Sequence, residues 1–150
     1  MRALIAIAAL ATTAASSDAA DWVRADVYFR GWRSERAVAV SPEGLRDEAR
    51  HGYSRSVRIA SPSQLKQLIT VLDLPRLHST RGDTRSDTHL VIDLFDTAGA
   101  RSTYRSEKFY LWSADCTRGR KVDARFREFF EQFTPRSNHA MQRTATRSDA

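Results

Sequence analysis

The residue types best able to do chemistry in this sequence are grouped in a polar segment, residues 81–89. Asp87 and His89 are two positions apart, so in an extended chain their side chains would point to the same side. Asp83 could approach both from a loop. Carboxylates and imidazoles bind zinc and similar ions, but such a site needs three or four ligands in a defined geometry. The spacing raises one hypothesis, a minor hydrolase or metal-dependent enzyme that uses the Asp83–His89 region.

The same segment also has a simpler interpretation, a solvated loop. Its residues are mostly small, polar and turn-forming, and no large apolar side chain is present to anchor it. A catalytic group must be held to within about half an ångström by packed neighbours. We therefore expect the loop to sample many conformations, and we predict no catalytic residue, no bound metal and no cofactor.

Other arrangements of catalytic groups are not indicated. Asp93 and Asp96 flank a predicted strand, but they are three positions apart and point to opposite faces, whereas a paired-carboxylate mechanism needs both on one bond. No serine lies in the pattern of a nucleophile elbow, and no glycine-rich phosphate loop occurs. Cys116 has no second cysteine to pair with and no base indicated beside it, so we predict a buried, unreactive thiol.

Aromatic residues give a second kind of signal. Tyr110 and Trp112 alternate along a predicted strand and would share one face, while Trp22 and Trp32 delimit the first predicted strand. Tyrosine and tryptophan near arginine are typical of the hot spots of protein interfaces. We predict an interaction surface that includes these four residues, with ordinary packing as the alternative.

The formal net charge of the chain is +6. Its basic residues are mostly arginines spread along the sequence, many of them beside acidic residues. Nucleic-acid-binding proteins more often cluster their positive charge on one helix or stripe. The charge pattern therefore predicts no nucleic-acid partner, while attraction to an anionic polymer of the cell envelope stays open.

The two ends of the chain differ from its middle. Met1 and Arg2 precede an apolar run, residues 3–11, which is too short for a membrane span of about 20 residues. Small residues follow, and this order is typical of a cleavable signal peptide. We predict a signal peptide over residues 1–20, and export to the periplasm or beyond. Residues 136–150 contain almost no large apolar side chain and are predicted to be a disordered tail.

Between these ends, residues 21–135 are predicted to form a single domain of strands and helices. The alternation of apolar residues predicts strands at 22–32, 53–60, 89–96, 101–105 and 109–112, with a weaker candidate at 37–40. Residues 61–64, Ser-Pro-Ser-Gln, have the form of a capping box before a helical apolar stripe. A second helix, after Asp123, has four phenylalanines at helical spacing. Residues 45–52 are predicted to be a polar connection with at most one helical turn.

Strands grouped together, with helices between and after them, favour an α+β fold. We predict a small antiparallel sheet of four to six strands with two amphipathic helices packed on one face. Without a catalytic constellation, this pattern favours a small exported binding or interaction module that works through a sheet face or edge. Two alternatives stay open: the enzyme of the Asp83–His89 region, and an envelope-associated protein that binds anionic polymer. The partner would be another protein or such a polymer.

Overall fold

A seven-stranded antiparallel sheet forms the centre of the protein, which the computed structural model describes over residues 21–133. The strands are β1 (Trp22–Phe29), β2 (Arg55–Ile59), β3 (His78–Ser79), β4 (Leu90–Asp96), β5 (Arg101–Ser106), β6 (Tyr110–Ser113) and β7 (Arg118–Lys121). The helices are α1 (Pro42–Arg50), α2 (Pro62–Leu72) and α3 (Ala124–Glu131), with a 3-10 turn at Leu74–Arg76. Across the sheet the strand order is β2-β1-β4-β5-β6-β7-β3. The predicted α+β class is therefore confirmed.

The main core lies between the sheet and the pair of helices α2 and α3, and we call this side of the sheet the α2–α3 face. Alternate strand residues point into it, as the period of a strand requires. The buried members are Ala25, Val27, Phe29, Ile59, Leu90, Ile92, Leu94 and Leu111 from the strands, with Leu65, Leu68, Leu72, Phe126 and Phe130 from the two helices. The two predicted amphipathic helices thus share one core.

The beginnings of these two helices differ in detail. Helix α2 begins at Pro62 as predicted, but Ser61 makes no side-chain capping bond, so the predicted capping box does not form. The Ser61 hydroxyl instead lies 3.1 Å from that of Ser63. In α3, the carboxylate of Asp123 accepts a hydrogen bond from the amide of Phe126 at 2.8 Å, which satisfies one of the free amides of the first turn.

Helix α1 was not predicted, and it packs on the opposite side of the sheet, which we call the α1 face. The expected polar connection is in fact nine helical residues, and residues 37–40 form no strand. Ser41 accepts from the amide of Gly44 at 3.0 Å and Pro42 is the first helical residue, the same start signal as in α2. Only Leu45 is buried, so the helix has too short an apolar stripe to be recognised by periodicity.

The predicted fold was correct in class and wrong in two details. The sheet has seven strands rather than four to six, and its helices lie on both faces rather than one. Strand β3 has only two residues and β7 reads Arg-Gly-Arg-Lys, so neither carries apolar alternation. Strand β4 is buried on both sides, as predicted, because α2 and α3 cover one face and α1 the other.

Two of the predicted segments lie outside the described residues: the signal peptide over residues 1–20 and the tail over residues 136–150. Among residues 21–133, no helix combines the length and the apolar character that crossing a membrane would require.

Candidate functional site

The structure brings Asp87 and His89 together, as their spacing predicted, and adds a residue that the sequence did not indicate. Nε2 of His89 lies 3.6 Å from Oδ2 of Asp87. Arg30, which follows β1, donates a hydrogen bond to Asp87, and its side chain is only 1% exposed. Its Nη2 also lies 3.4 Å from Nε2 of His89. We call these three residues the Arg30–Asp87–His89 cluster.

The protonation states within this cluster follow from its hydrogen bonds. Nδ1 of His89 lies 2.8 Å from the carbonyl oxygen of Gly31, so Nδ1 carries the proton and Nε2 the lone pair. Burial lowers the pKa of His89, and the charge of Arg30 lowers it further. Burial also pushes up the pKa of Asp87, but the amide of Val40 and the Arg30 guanidinium hold it below its ordinary value. A neutral imidazole therefore lies beside an ion pair.

This arrangement does not resemble a cation site. Asp83 does not join Asp87 and His89, and no group of three or more potential ligands of a metal ion occurs among residues 21–133. The guanidinium of Arg30 lies against both Asp87 and His89, where a metal would have to bind. Its positive charge repels a second cation at this distance. The hydrogen bonds of the cluster connect the end of β1, the 31–40 segment and the start of β4.

The loop that leads to this cluster makes contacts with the sheet that the sequence did not indicate. Arg105 of β5 is buried and donates to the carbonyl oxygens of Thr84 at 2.9 Å and Ser86 at 2.6 Å. Gly82 lies flat on the indole of Trp112, where an added Cβ would come within 2.9 Å of the ring. The loop has no apolar anchor of its own, and the residue that contacts its backbone is an arginine on the sheet beneath it.

Acidification is expected to destabilise the fold through His89. The unfolded chain takes up a proton at the ordinary histidine pKa of about 6.5, whereas His89 in the fold resists because its pKa is lowered. Stability present above about pH 6.5 is therefore lost progressively as the pH falls below that value. In His89→Asn the side-chain amide replaces Nδ1 as donor to Gly31. Thermal melting of this variant should show a weaker decline between about pH 7 and pH 5 than the wild type shows.

The exposed His78 supplies the matched control for this experiment. His78→Asn should keep the pH dependence of the wild type. The lowered pKa of Asp87 acts in a separate window, because its stabilising effect is lost only below the ordinary aspartate pKa of about 3.9. Equal declines for wild type and His89→Asn would contradict the assignment to His89.

The four aromatic residues of the predicted interaction surface do not lie together. Trp32 is buried in the core, and its indole nitrogen donates to the carbonyl oxygen of Arg127 at 3.0 Å. Trp22 is partly buried against the same core. Tyr110 and Trp112 stack on each other with ring centroids 5.3 Å apart, but Trp112 is buried and only Tyr110 is well exposed. Tyr110 and Trp112 are therefore neighbours, whereas Trp22 and Trp32 pack with the core and do not share a surface with them.

A second polar cluster, which the sequence analysis missed, crosses the α1 face. Asp26 of β1 and Asp93 of β4 are direct cross-strand neighbours. Arg46 of α1 donates twice to Asp93, at 3.0 and 2.8 Å, and Arg58 of β2 donates to Asp26 at 2.9 Å. Each carboxylate has its own arginine, so the row is balanced in charge. It attaches α1 and β2 to the sheet, and only the strand pairing reveals it.

Strand β2 forms one edge of the sheet, beside this row. The amide of Arg30 donates to the carbonyl oxygen of His89. The N–H and C=O groups of the even-numbered residues of β1 therefore point toward β4, because these groups alternate in direction along an antiparallel strand. The odd-numbered residues of β1 therefore bond to their odd-numbered partners in β2. It follows that the N–H and C=O groups of Ser56 and Arg58 point away from the sheet. No strand in the described part of the chain pairs with them.

The surroundings of this edge are open and rich in arginine. A cleft of about 470 Å³ lies beside it on the α1 face, and its lining includes Tyr28, Arg50 and Arg58, together with Asp26, the carboxylate that pairs with Arg58. Tyr53, just before β2, is 75% exposed. Arg55 is exposed and makes no ion pair with any described residue. We call this combination of unpaired backbone, arginines and cleft the β2 edge.

Comparison with known proteins does not place the chain in a family. No family model matches it, and neither a curated protein nor a solved structure gives a significant match. The function proposed below therefore depends on the residues and the geometry of the sites just described.

Proposed function

We propose that the protein is an exported, non-catalytic binding module that binds a partner along the β2 edge. The observation that carries this proposal is the outward-pointing backbone of Ser56 and Arg58, in a regular strand at the end of the sheet. An extended segment of another protein can add to such a strand, since its own backbone supplies the missing hydrogen-bond partners. The two residues offer two N–H and two C=O groups.

Three other parts of the described surface support strand addition less well. The opposite edge, β3, has only two residues. The sheet faces are covered by α2 and α3 on one side, and by α1 and the 80–88 loop on the other. The stacked Tyr110 could contribute a contact, but Trp112 beneath it is buried. The β2 edge combines unpaired main chain with accessible side chains, which is what strand addition needs.

The enzyme of the Asp83–His89 region is the less favoured alternative. Both oxygens of Asp87 already accept hydrogen bonds, one from Arg30 and one from the amide of Val40. A cavity of about 350 Å³ is lined by Asp87 and His89, but His89 is 2% exposed and its lone pair faces Arg30 at 3.4 Å, so a substrate in this cavity would have to displace the guanidinium to reach Nε2. If the purified protein contained stoichiometric zinc, and His89→Asn did not, this alternative would become the favoured function.

Binding of an anionic polymer is the second alternative, and the exposed Arg55, which makes no ion pair with a described residue, favours it. It differs from strand addition in its dependence on salt, since contacts between exposed charges are largely screened when ionic strength is raised. Association that vanishes by about 0.5 M salt, with no dependence on backbone groups of β2, would favour the polymer.

Blocking the edge tests the proposal. Ser56→Pro removes an outward N–H and leaves the odd-numbered residues that bond to β1 unchanged, and proline is tolerated on the open side of an edge strand. We expect tagged wild-type protein to enrich a specific protein from the native exported fraction. Ser56→Pro should reduce this enrichment at least about tenfold while keeping the circular dichroism and melting temperature of the wild type.

The matched control is Ser56→Ala, which removes the hydroxyl but keeps the amide, and it should bind as the wild type does. Two results would contradict binding through the edge: no protein enriched by the wild type, or equal enrichment by Ser56→Pro.

Export is tested separately. The apolar run over residues 3–11, followed by small residues, predicts that the mature protein begins between Ser16 and Asp21. Amino-terminal sequencing of protein from the native host measures this directly. A mature chain that still begins at Met1 would contradict export.

A further inference from the structure

We infer that the partner of the β2 edge is an extended segment with two acidic residues, three positions apart, and one apolar residue between them. This inference depends on the proposed function and specifies the chemistry of the partner. It follows from the faces to which the residues of β2 point and from what lies beside each of them.

On the α1 face, we expect the partner to place an acidic residue opposite Arg58. Ser56 and Arg58 point to this side, beside the cleft that Arg50 and Tyr28 also line. Arg58 is 66% exposed, and its bonds to Asp26 use Nε and Nη2, leaving Nη1 without an acceptor among the described residues. A residue of an added strand directly opposite Arg58 would have its Cβ about 5 Å away on the same face. A carboxylate there would gain a charged partner.

On the α2–α3 face, we expect the partner to place an apolar residue opposite Val57 and a second acidic residue opposite Arg55. Val57 points to this side and is partly buried against the core, next to the buried Ile59. A residue opposite Val57 would extend this apolar surface and remove it from water. Arg55 also points to this side, at the end of the strand, where it is exposed. A residue opposite Arg55 would therefore be acidic.

The order of these positions gives a sequence pattern. In an antiparallel addition the residues opposite Arg58, Val57, Ser56 and Arg55 follow one another as acidic, apolar, any and acidic. A parallel addition would reverse the order to acidic, any, apolar and acidic. A second copy of β2 does not fit this pattern, because its own sequence, Arg-Ser-Val-Arg-Ile, has no acidic residue to place opposite Arg55 or Arg58.

Synthetic peptides measure this preference directly. The probe is the labelled peptide Thr-Thr-Glu-Val-Thr-Glu-Thr-Thr, and its binding is followed by fluorescence anisotropy up to millimolar concentration. A peptide of the same composition with both glutamates at one end is the first control, and inorganic polyphosphate is the second. We expect the patterned peptide to bind at least about tenfold more tightly than the rearranged one.

Charge reversal on the protein is the matching experiment. Arg55→Glu and Arg58→Glu should each weaken binding of the glutamate peptide at least about tenfold, and should favour the peptide in which lysine replaces both glutamates. Arg55→Glu removes no ion pair of the described residues, so it remains informative if Arg58→Glu disturbs the edge. Arg101→Glu, an exposed arginine on β5, should change neither affinity.

The outcomes separate this inference from the proposed function. If Ser56→Pro abolishes capture of the native partner but the patterned peptide does not bind, the edge binds and the inferred chemistry is wrong. Equal binding of patterned and rearranged peptides, with full competition by polyphosphate, would show that charge alone is recognised and would also overturn the inference. A preference for the patterned peptide that Ser56→Pro and Arg55→Glu both remove supports it.

Discussion

Phe130→Ala is expected to lower the free energy of unfolding by about 3–5 kcal/mol. The ring of Phe130 is fully buried and contacts four other aromatic side chains, with centroids 4.9 Å from Phe126, 5.1 Å from Phe129 and 6.3 Å from both Phe29 and Phe133. Removing it leaves a cavity between α3 and the sheet that these neighbours can only partly fill. A loss of this size is a large part of the total stability expected for a domain, about 5–15 kcal/mol. Denaturation in urea, followed by circular dichroism, measures it.

The preceding residue of the same helix is the control. Phe129 has the spacing of a core residue in the sequence, but it is only partly buried. Phe129→Ala should therefore cost clearly less than Phe130→Ala. Equal losses for the two variants would mean that α3 is rotated relative to the sheet from the orientation described here.

Arg46→Ala is expected to cost about 3–5 kcal/mol, the range for breaking a buried ion pair. The side chain of Asp93 is only 3% exposed, and two of its three hydrogen bonds come from Arg46. Without Arg46 the carboxylate retains a bond from the Thr103 hydroxyl at 2.6 Å and has no other partner from α1. The cost arises from the buried charge left behind rather than from any loss of helix propensity, since alanine is the best helix former.

Arg50→Ala, on the same helix, is the matched control, because Arg50 pairs with Asp47 in the solvent. It should cost less than about 1 kcal/mol. Replacing both buried partners, as Arg46→Met with Asp93→Val, should recover much of the loss, because no unpaired charge then remains. If Arg46→Ala costs no more than Arg50→Ala, the pair with Asp93 does not hold α1 to the sheet.

The parts of the fold that could be predicted are those in which apolar residues recur with a clear period. Strand β4 and helices α2 and α3 have such patterns because they line the main core, and each lies within a few residues of its predicted position. Helix α1 was missed although its Ser-Pro start matches that of α2. It is held to the sheet by Arg46 and one leucine, and a polar attachment has no periodic signature.

The candidate sites were predicted less completely, because their residues come from distant parts of the chain. The proximity of Asp87 and His89 followed from their spacing, but Arg30 could be placed between them only by pairing β1 with β4. The same pairing sets Asp26 beside Asp93. The anchoring of the 80–88 loop by Arg105 depends on which residue lies beneath it on the sheet, and local sequence does not contain that information.

The unequal edges of the sheet also limit what copies of this protein can build. A fibre of sheets requires that every subunit offer two edges, one to each neighbour. Among the described residues one edge has five residues and the other two, and the longer one carries two arginines with no acidic residue in a like strand to pair with them. Such a subunit can end a row of strands but cannot continue one. If one copy added to the end of a growing assembly of strands, it would stop growth at that end, because it offers no second long edge to the next strand.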